Sequence, residues 1–290
     1  MNQEYSTFIS SSFYEKSDFI EGFSEKIRDT HNWNKLAIRF KSWENSRHQI
    51  ANPIPKIIHQ IWLGKPLPSA YFKWTLSWKK KNPEWKYILW NEESIKRFGL
   101  ANERIFRQSP SYGVKSDMAR YEILYRMGGV YADTDFECLS SFDELVTSVS
   151  FFAGTIFSHS PDIANGLIGS VPGHPLLGEL IKQFHSPIRT KDGMEILAAS
   201  GPNFFSNFIY SHWDLLTETD VVFPSSYFYP FPNFEMDKVN IDEAKNKYAR
   251  PWSLAIHYWE ASWLKPSSLR LFLSRQKKKL KRIIDLCVKC

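Results

Sequence analysis

Hydrophobic and polar positions alternate along this chain with two different periods. Before residue 50, apolar residues recur every three or four positions, which predicts two amphipathic helices over 14–47. Two prolines in 51–55 then interrupt the pattern. After them, a strand over 56–63, a helix over 69–82 and a strand over 85–90 follow one another. Strands that alternate with helices predict an α/β domain with a mostly parallel central sheet flanked by helices.

The same alternation continues through the middle of the chain. Helices over 91–98 and 112–127 precede Gly128 and Gly129, and a short apolar strand over 130–132 runs into Asp133-Thr134-Asp135. Beyond residue 150 the pattern is less regular. It predicts strands near 150–156, 221–223, 227–231 and 253–259, and helices near 175–185, 192–199 and 203–213.

Charge is unevenly distributed along the 290 residues. Residues 265–290 contain nine lysines and arginines and one aspartate, a net +8, whereas the whole chain carries +6. The remainder, 1–264, is therefore at −2, and no nucleic-acid partner is expected.

The basic segment is also periodic. Its apolar residues fall on one side of a helix over 266–290 and its basic residues on the other. Such a helix binds an anionic membrane surface or packs on the body of the protein, and both readings stay open. The sequence thus divides into an N-terminal helical extension (1–52), a main domain (53–264) and a basic amphipathic C-terminal helix (265–290).

Three cysteines, Cys138, Cys287 and Cys290, are too few for a disulfide framework and indicate a reducing compartment. The first residues lack a signal-peptide pattern, and no later stretch approaches ~18 consecutive apolar residues. The expected location is cytoplasmic, peripheral on the inner face of the membrane through 266–290.

Candidate chemistry concentrates around Asp133 and Asp135. Side chains two residues apart on a strand point the same way, so both carboxylates should meet at its carboxyl end, where ligands gather in α/β sheets. Two hard oxygen ligands suit Mg²⁺ or Mn²⁺ bridging a diphosphate. Asp117 and Arg120 lie three apart on the preceding helix, either as a surface ion pair or as groups that bind sugar hydroxyls.

The residues around this motif resemble a known family. The segment SYGVKSDMARYEILYRMGGVYADTDFE (111–137) is similar to the signature of glycosyltransferase family 32, which includes the yeast initiating mannosyltransferase and bacterial capsular sugar transferases. It is more distantly similar to the catalytic domain of the clostridial glucosylating toxins. Further blocks keep the family's order over about 53–264: PKIIHQIWLG (55–64), ANGLIGSVPGHPLL (164–177), SGPNFF (200–205), FPSSYFYPF (223–231) and HYWEASW (257–263).

The resemblance implies a GT-A, Rossmann-like fold and a retaining, metal-dependent hexosyltransferase that uses a nucleotide diphosphate sugar. It implies that Asp135 coordinates Mn²⁺ or Mg²⁺, and that Asp133 contacts the donor ribose or sugar beside the metal. Asp117 and Arg120 would hold the transferred sugar.

The remaining roles come from the outer blocks. Trp62 would stack on the nucleobase, and His257 would complete the metal shell or touch the diphosphate. Asn165 would contact donor or acceptor, and Ser262 and Trp263 would close over the diphosphate. A core position for Trp62 and a hydrogen-bonded core position for His257 are the alternatives.

The expected donor is a UDP-sugar, with GDP-mannose second, and the expected acceptor is a saccharide or lipid-linked oligosaccharide in bacterial capsule, lipopolysaccharide or other glycan synthesis. A toxin-like effector that glycosylates a protein and a non-catalytic carbohydrate-binding protein are alternatives. A haloacid dehalogenase phosphatase also uses Asp-x-Asp, but Glu137 stands where that class has Thr or Val.

Overall fold

The computed structural model describes residues 30–46, 48–158, 160–236 and 239–260. The first of the two predicted N-terminal helices and the predicted C-terminal helix lie outside these residues. The second N-terminal helix forms as α1 (Thr30–Ser46). No helix in the described part is long and apolar enough to cross a bilayer.

The described residues form eight strands. In chain order they are β1 (Ile57–Ile61), β2 (Lys86–Trp90), β3 (Gly129–Ala132), β4 (Phe136–Cys138), β5 (Phe151–Thr155), β6 (Ile163–Ser170), β7 (Asp220–Phe223) and β8 (Ala255–His257). Six of them make one sheet in the order β2-β1-β3-β6-β5-β7, and β4 pairs with β8 separately. Within the large sheet β6 runs antiparallel to both of its neighbours, while the other strand pairs are parallel.

Helices lie between and around these strands. They are α2 (Phe72–Lys81), α3 (Glu92–Phe98), α4 (Glu103–Gln108), α5 (Tyr112–Met127), α6 (Asp143–Ser148), α7 (Pro175–Ile181), α8 (Gly193–Ala199), α9 (Pro202–Ser211), α10 (Ser225–Phe228) and α11 (Ile241–Tyr248), with 3₁₀ turns at Ser69–Tyr71, Trp213–Leu215 and Asn233–Glu235. The predicted α/β class with a mostly parallel sheet flanked by helices is confirmed.

A glycine pair lets α5 turn directly into the central strand β3. Gly128 and Gly129 have φ angles of 62° and 100°, which L side chains rarely adopt. A Cβ on Gly129 would also lie 2.6 Å from the carbonyl oxygen of Ile57. The pair therefore brings β3 against β1 and fixes where the residues after β3 emerge.

One strand predicted for the second half is absent, and another is shorter than predicted. Residues 227–231, rich in aromatic residues typical of strands, begin inside helix α10, whose rings pack into the core instead. Residues 253–259 form only the short β8, which pairs with β4 outside the large sheet.

Strand β6 was missed altogether. Its eight residues are all buried, so the alternation of polar and apolar positions that marks a half-exposed strand is absent.

Helix α1 belongs to the core rather than standing apart from it. Its apolar face packs beside β7, with Trp33 fully buried and Trp43 stacked edge-on against Phe223. The Trp43 indole donates to Ser148 Oγ at 3.0 Å, and the Arg39 guanidinium donates to the carbonyl oxygen of Leu216.

Candidate metal and donor site

Three potential metal ligands converge at the carboxyl end of β3. Asp133 follows β3, Asp135 precedes β4, and His257 ends β8. Because β4 and β8 are antiparallel with Phe136 opposite His257, the imidazole comes beside the Asp135 carboxylate. One ligand atom from each of the three side chains lies within 4.8 Å of the others.

The sequence predicted that the two aspartates lie along an extended strand. In the structure a turn brings them together instead. The Asp133 N–H donates to the Gly166 carbonyl at 2.8 Å, which extends the pairing with β6 by one residue. The Phe136 N–H then donates to the Asp133 carbonyl at 3.2 Å and closes a turn. The turn therefore places both carboxylates at the same edge of the sheet.

Asp135 is held as a carboxylate by its neighbours. Its Oδ1 lies 3.0 Å from His257 Nε2, and its Oδ2 accepts a hydrogen bond of 2.9 Å from the Glu260 N–H. Burial alone would raise its pKa, but His257 and the backbone donors outweigh burial and lower the pKa of Asp135. The ionised form is the one that ligates a cation.

Asp133 is the more open of the two carboxylates. Its side chain is 30% exposed, against 11% for that of Asp135. Its Oδ1 accepts a hydrogen bond of 2.6 Å from the Tyr131 hydroxyl and lies 3.1 Å from Arg120 Nη2. Burial, with the charge of Asp135, raises the pKa of Asp133 although Arg120 opposes the shift. The exposed side of the cluster is thus at Asp133, where a substrate can approach.

Arg120 links the aspartate cluster to a buried network behind it. Its Nη2 lies 3.1 Å from both Asp117 Oδ1 and Asp133 Oδ1, and its Nη1 donates to the Asn165 carbonyl at 2.7 Å. The guanidinium also lies over the Tyr131 ring, 4.4 Å from the centroid. Burial alone would lower the pKa of Arg120, but the charges of the facing carboxylates outweigh burial. The pKa of Arg120 is therefore raised, and Arg120 remains a cation.

Asp117 lies deeper in the same network. Its Oδ1 accepts from Asn165 Nδ2 at 2.9 Å and its Oδ2 from Ser200 Oγ at 2.8 Å. Burial raises the pKa of Asp117 to about 7, although Arg120 and these donors oppose the shift. Since the side chains of Asp117 and Arg120 are only 7% and 6% exposed, the alternative of a surface ion pair was wrong.

Several members of the network were not singled out from the sequence. The Tyr131 hydroxyl donates to Asp133, and the Ser200 hydroxyl donates to Asp117. Gln60 Nε2 donates to the Asp133 carbonyl at 3.0 Å. Gly166 has no side chain and so leaves space for the Asp133 carboxylate, since a Cβ there would lie 2.8 Å from Asp133 Oδ2. Ser200 and Gly166 do fall inside family-like blocks, which was the one signal for them.

The remaining predicted site residues have mixed positions. Asn165 joins the network around Asp117. Trp62 follows β1, half-buried, with its ring 5.1 Å from that of Tyr71 and its indole donating to the Lys65 carbonyl at 2.6 Å. Its stacking on a nucleobase stays a prediction. Ser262 and Trp263 lie outside the described residues.

The cluster suits a hard divalent cation. Asp133, Asp135 and His257 offer two carboxylates and an imidazole. Mn²⁺ binds both oxygen and nitrogen ligands, whereas Mg²⁺ would bind the carboxylate oxygens. The buried Nδ1 of His257 has no hydrogen-bond partner in the described part of the chain, so the imidazole is not committed to a second protein group. The partial exposure of Asp133 leaves room for substrate oxygens in the coordination shell.

Similarity to a known protein family covers the same region of the chain. The family described as "Glycosyltransferase sugar-binding region containing DXD motif" matches residues 68–152, which include Asp117, Arg120, Asp133 and Asp135. Inositol phosphoceramide mannosyltransferase 3 of Schizosaccharomyces pombe is 31% identical over 58% of this chain and 48% of its own length. An uncharacterised glycosyltransferase of Acanthamoeba polyphaga mimivirus is 29% identical over 61% of this chain and 73% of its own.

The chain spans about half the length of the first curated relatives that it matches. Among solved structures, the catalytic domain of alpha-toxin from Clostridium novyi gives a TM-score of 0.48 at 11% identity, covering 98% of this chain and 96% of that one. The resemblance read from the sequence is confirmed: the chain carries a DXD-containing sugar-binding region, and the two relatives above are named as a mannosyltransferase and a glycosyltransferase.

Proposed function

We propose that this chain is a retaining, metal-dependent glycosyltransferase that moves a hexose from a nucleotide diphosphate sugar to a saccharide acceptor, in bacterial capsule, lipopolysaccharide or other glycan synthesis. The observation that carries the proposal is the convergence of Asp133, Asp135 and His257 within 4.8 Å, bordered by Arg120, inside the matched sugar-binding region. A purely structural aspartate pair would not require this environment.

The proposed chemistry assigns a task to each part of the site. Asp135, with Asp133 and His257, would hold Mn²⁺ or Mg²⁺, and such an ion neutralises the charge that develops on a departing diphosphate. Arg120 keeps Asp133 in place through its 3.1 Å contact and supplies a fixed positive charge beside the same edge. Asp133, the exposed member, meets the donor.

Asp117 has capacity left for a sugar hydroxyl. A carboxylate offers about four acceptor positions. Arg120 and Asn165 use Oδ1, and Ser200 uses Oδ2, so one position on Oδ2 is left among the described contacts. Because Ser200, Asn165 and Arg120 fix the carboxylate before any ligand binds, Asp117 would orient the transferred sugar without reorganisation.

The donor is proposed as a UDP-hexose, with GDP-mannose second. Trp62 would stack on either base. Two curated relatives from Schizosaccharomyces pombe are named inositol phosphoceramide mannosyltransferases, which supports testing mannose donors beside UDP-sugars. Retention of configuration is carried over from the family resemblance and is read directly from the anomeric proton signal of the first product formed.

The test is a screen of purified protein against UDP- and GDP-sugars with and without Mn²⁺, recording nucleotide diphosphate release and thermal shift. Ligand binding raises the melting temperature by mass action. One nucleotide sugar that stabilises the protein and is turned over only with Mn²⁺ is the expected result. Binding of glycans with no response to any nucleotide or metal would favour the non-catalytic carbohydrate-binding alternative.

We further propose that 266–290 holds the enzyme on an anionic membrane beside a lipid-linked acceptor. Each basic residue near such a surface contributes about 1 kcal/mol. In the full chain, Lys278→Glu with Lys281→Glu should weaken sedimentation with phosphatidylserine vesicles at least tenfold and leave the melting temperature unchanged. Equal vesicle binding by the charge-reversed chain would show that this segment is not the membrane contact.

A further inference from the structure

A cavity of about 160 Å³ lies behind the β4–β8 pair. Its lining residues come from α2, α11, β4 and the residue that follows β8: Lys73, Trp74, Glu137, Ile241, Asp242, Lys245 and Tyr258. Neighbouring residues on a strand face opposite sides, so Glu137 lies on the side away from Phe136 and its partner His257. This volume is below the roughly 300–1,000 Å³ of sites that hold drug-sized ligands, so the cavity has the scale of one small ring and not of a nucleotide.

The polar wall is charged but balanced. Lys245 Nζ lies 2.7 Å from Glu137 Oε1, and the Tyr258 hydroxyl donates to Glu137 Oε2 at 2.6 Å. Lys73 and Asp242 form a longer pair of 3.5 Å at the exposed rim. Two cations face two anions, so the wall does not select phosphate or a metal ion. Neutral hydroxyl groups, which both donate and accept, match such a wall.

The aromatic wall carries an unused donor. Trp74 is 3% exposed, and its indole Nε1 is buried with no hydrogen-bond partner in the described part of the chain. Its ring stacks on Tyr258, with centroids 5.0 Å apart and planes at 20°. A buried donor without a partner destabilises the protein, and a hydroxyl of a bound ligand would remove this cost. A sugar or polyol hydroxyl is a ligand group that could satisfy this donor.

The cavity is built on the same short strands as the metal site. The Tyr258 N–H donates to the Asp135 carbonyl at 3.1 Å, and Glu137 is two residues beyond Asp135. The cavity is therefore adjacent to the reacting centre but on the other side of the β4–β8 pair.

We infer that this cavity is an acceptor subsite that binds one neutral sugar or polyol unit of the acceptor on the side of the β4–β8 pair away from the metal cluster. Trp74 donates to a hydroxyl of that unit, and Asp242 and Lys73 at the rim bond further hydroxyls. The role as acceptor subsite rests on the proposed transferase function, whereas the binding itself can be measured without a donor.

The test uses the indole N–H signals of the full-length ¹⁵N-labelled protein, with the Trp74 signal assigned by its loss in Trp74→Phe. Methyl α-mannoside, methyl α-glucoside and myo-inositol, added to tens of millimolar, should include at least one that moves the Trp74 signal in a saturable way. The signal of Trp252 should stay in place, because this half-exposed indole already donates to Ser226 Oγ at 3.1 Å. Asp242→Asn, a change at a side chain that is 82% exposed, should weaken the apparent Kd at least threefold.

If none of the three polyols moves the Trp74 signal, or if only inorganic phosphate does, the inference is overturned. Asp242→Asn keeps the test valid if Trp74→Phe does not fold, since an unchanged Kd in Asp242→Asn would also contradict the inference. Nucleotide and Mn²⁺ are titrated separately. Polyol binding without nucleotide binding would overturn the transferase proposal alone, and nucleotide binding without polyol binding would overturn the cavity inference alone.

Discussion

Three aspartates within one network have different electrostatic environments. The pKa of Asp135 is lowered because His257 and backbone donors outweigh burial, whereas burial raises the pKa of Asp133 and brings that of Asp117 to about 7. Residue type alone is the same at all three positions. What differs is the balance between burial and the charges and donors around each carboxylate, which only the folded chain supplies.

Gly166 offers a test that moves a carboxylate without removing it. In Gly166→Ala the new Cβ would lie 2.8 Å from Asp133 Oδ2, and this 30% exposed side chain can rotate away. We expect Mn²⁺ affinity to fall about 10–100-fold, the usual effect of disturbing a group that orients a ligand. The free energy of unfolding should change by less than about 1 kcal/mol. Titration of Mn²⁺ by calorimetry checks this, and unaltered affinity would mean that Asp133 does not bind the ion.

His59 makes acid stability predictable. The Trp90 indole donates to its Nδ1 at 3.1 Å, so its Nε2 carries the proton and donates to the Gly128 carbonyl at 3.0 Å. Burial lowers the pKa of His59 to about 4, with the Gly128 bond opposing the shift. The unfolded chain takes up this proton below about pH 6.5, so stability falls between pH 6.5 and 4.

The expected contribution of His59 is about 3 kcal/mol between pH 7.5 and pH 4, from the difference between the folded and unfolded pKa values. Urea unfolding of the wild type and of His59→Gln over this range isolates the term, because the other titrating groups are common to both. Parallel curves for the two proteins would show that His59 does not titrate as described.

The roles of residues within a local motif could be predicted from the sequence. The roles of residues that the fold brings together from distant parts of the chain could not. Asp133 and Asp135 follow a glycine turn and an apolar strand, which the sequence displays. Ser200 reaches Asp117 from 83 residues away, and no local pattern marks such a contact.

At the scale of elements, α1 is predicted to be essential for the fold. Trp33 is fully buried in the main core, so Trp33→Ala should lower the free energy of unfolding by about 3–5 kcal/mol through lost burial and a cavity. Ile38 lies on the same helix but is 55% exposed, and Ile38→Ala should cost less than about 0.5 kcal/mol. Equal, small losses in chemical denaturation of both variants would mean that α1 is an appendage, as the division at residue 52 had implied.

Helices with one solvent-exposed face could be predicted from the sequence. The helices α2 and α3 each have an exposed face, and the Asn91 side chain caps α3 by accepting from the Ser94 N–H at 2.9 Å. Strand β6 and helix α10 are buried throughout, so neither shows a period of two or 3.6 to an observer of the sequence.

At the scale of the whole molecule, the sheet order explains why the site lies where it does. Strands β1, β2 and β3 are parallel, so their carboxyl ends and the residues after them share one edge. The β4–β8 pair adds His257 to this edge from a position 122 residues further along the chain than Asp135. The sequence identified the edge and the family resemblance identified the histidine, but the pairing of β4 with β8 required the fold.

The most direct test of a metal-dependent donor site is calorimetric titration of UDP and GDP with and without Mn²⁺ in the wild type, Asp135→Asn and Asp214→Asn. Asp214 is an exposed aspartate outside the metal cluster, and its variant makes the same chemical change. We predict Mn²⁺-dependent nucleotide binding in the wild type and Asp214→Asn, and at least a hundredfold loss in Asp135→Asn with an unchanged far-UV spectrum. Nucleotide binding of equal strength in Asp135→Asn, or binding that ignores Mn²⁺, would contradict the account.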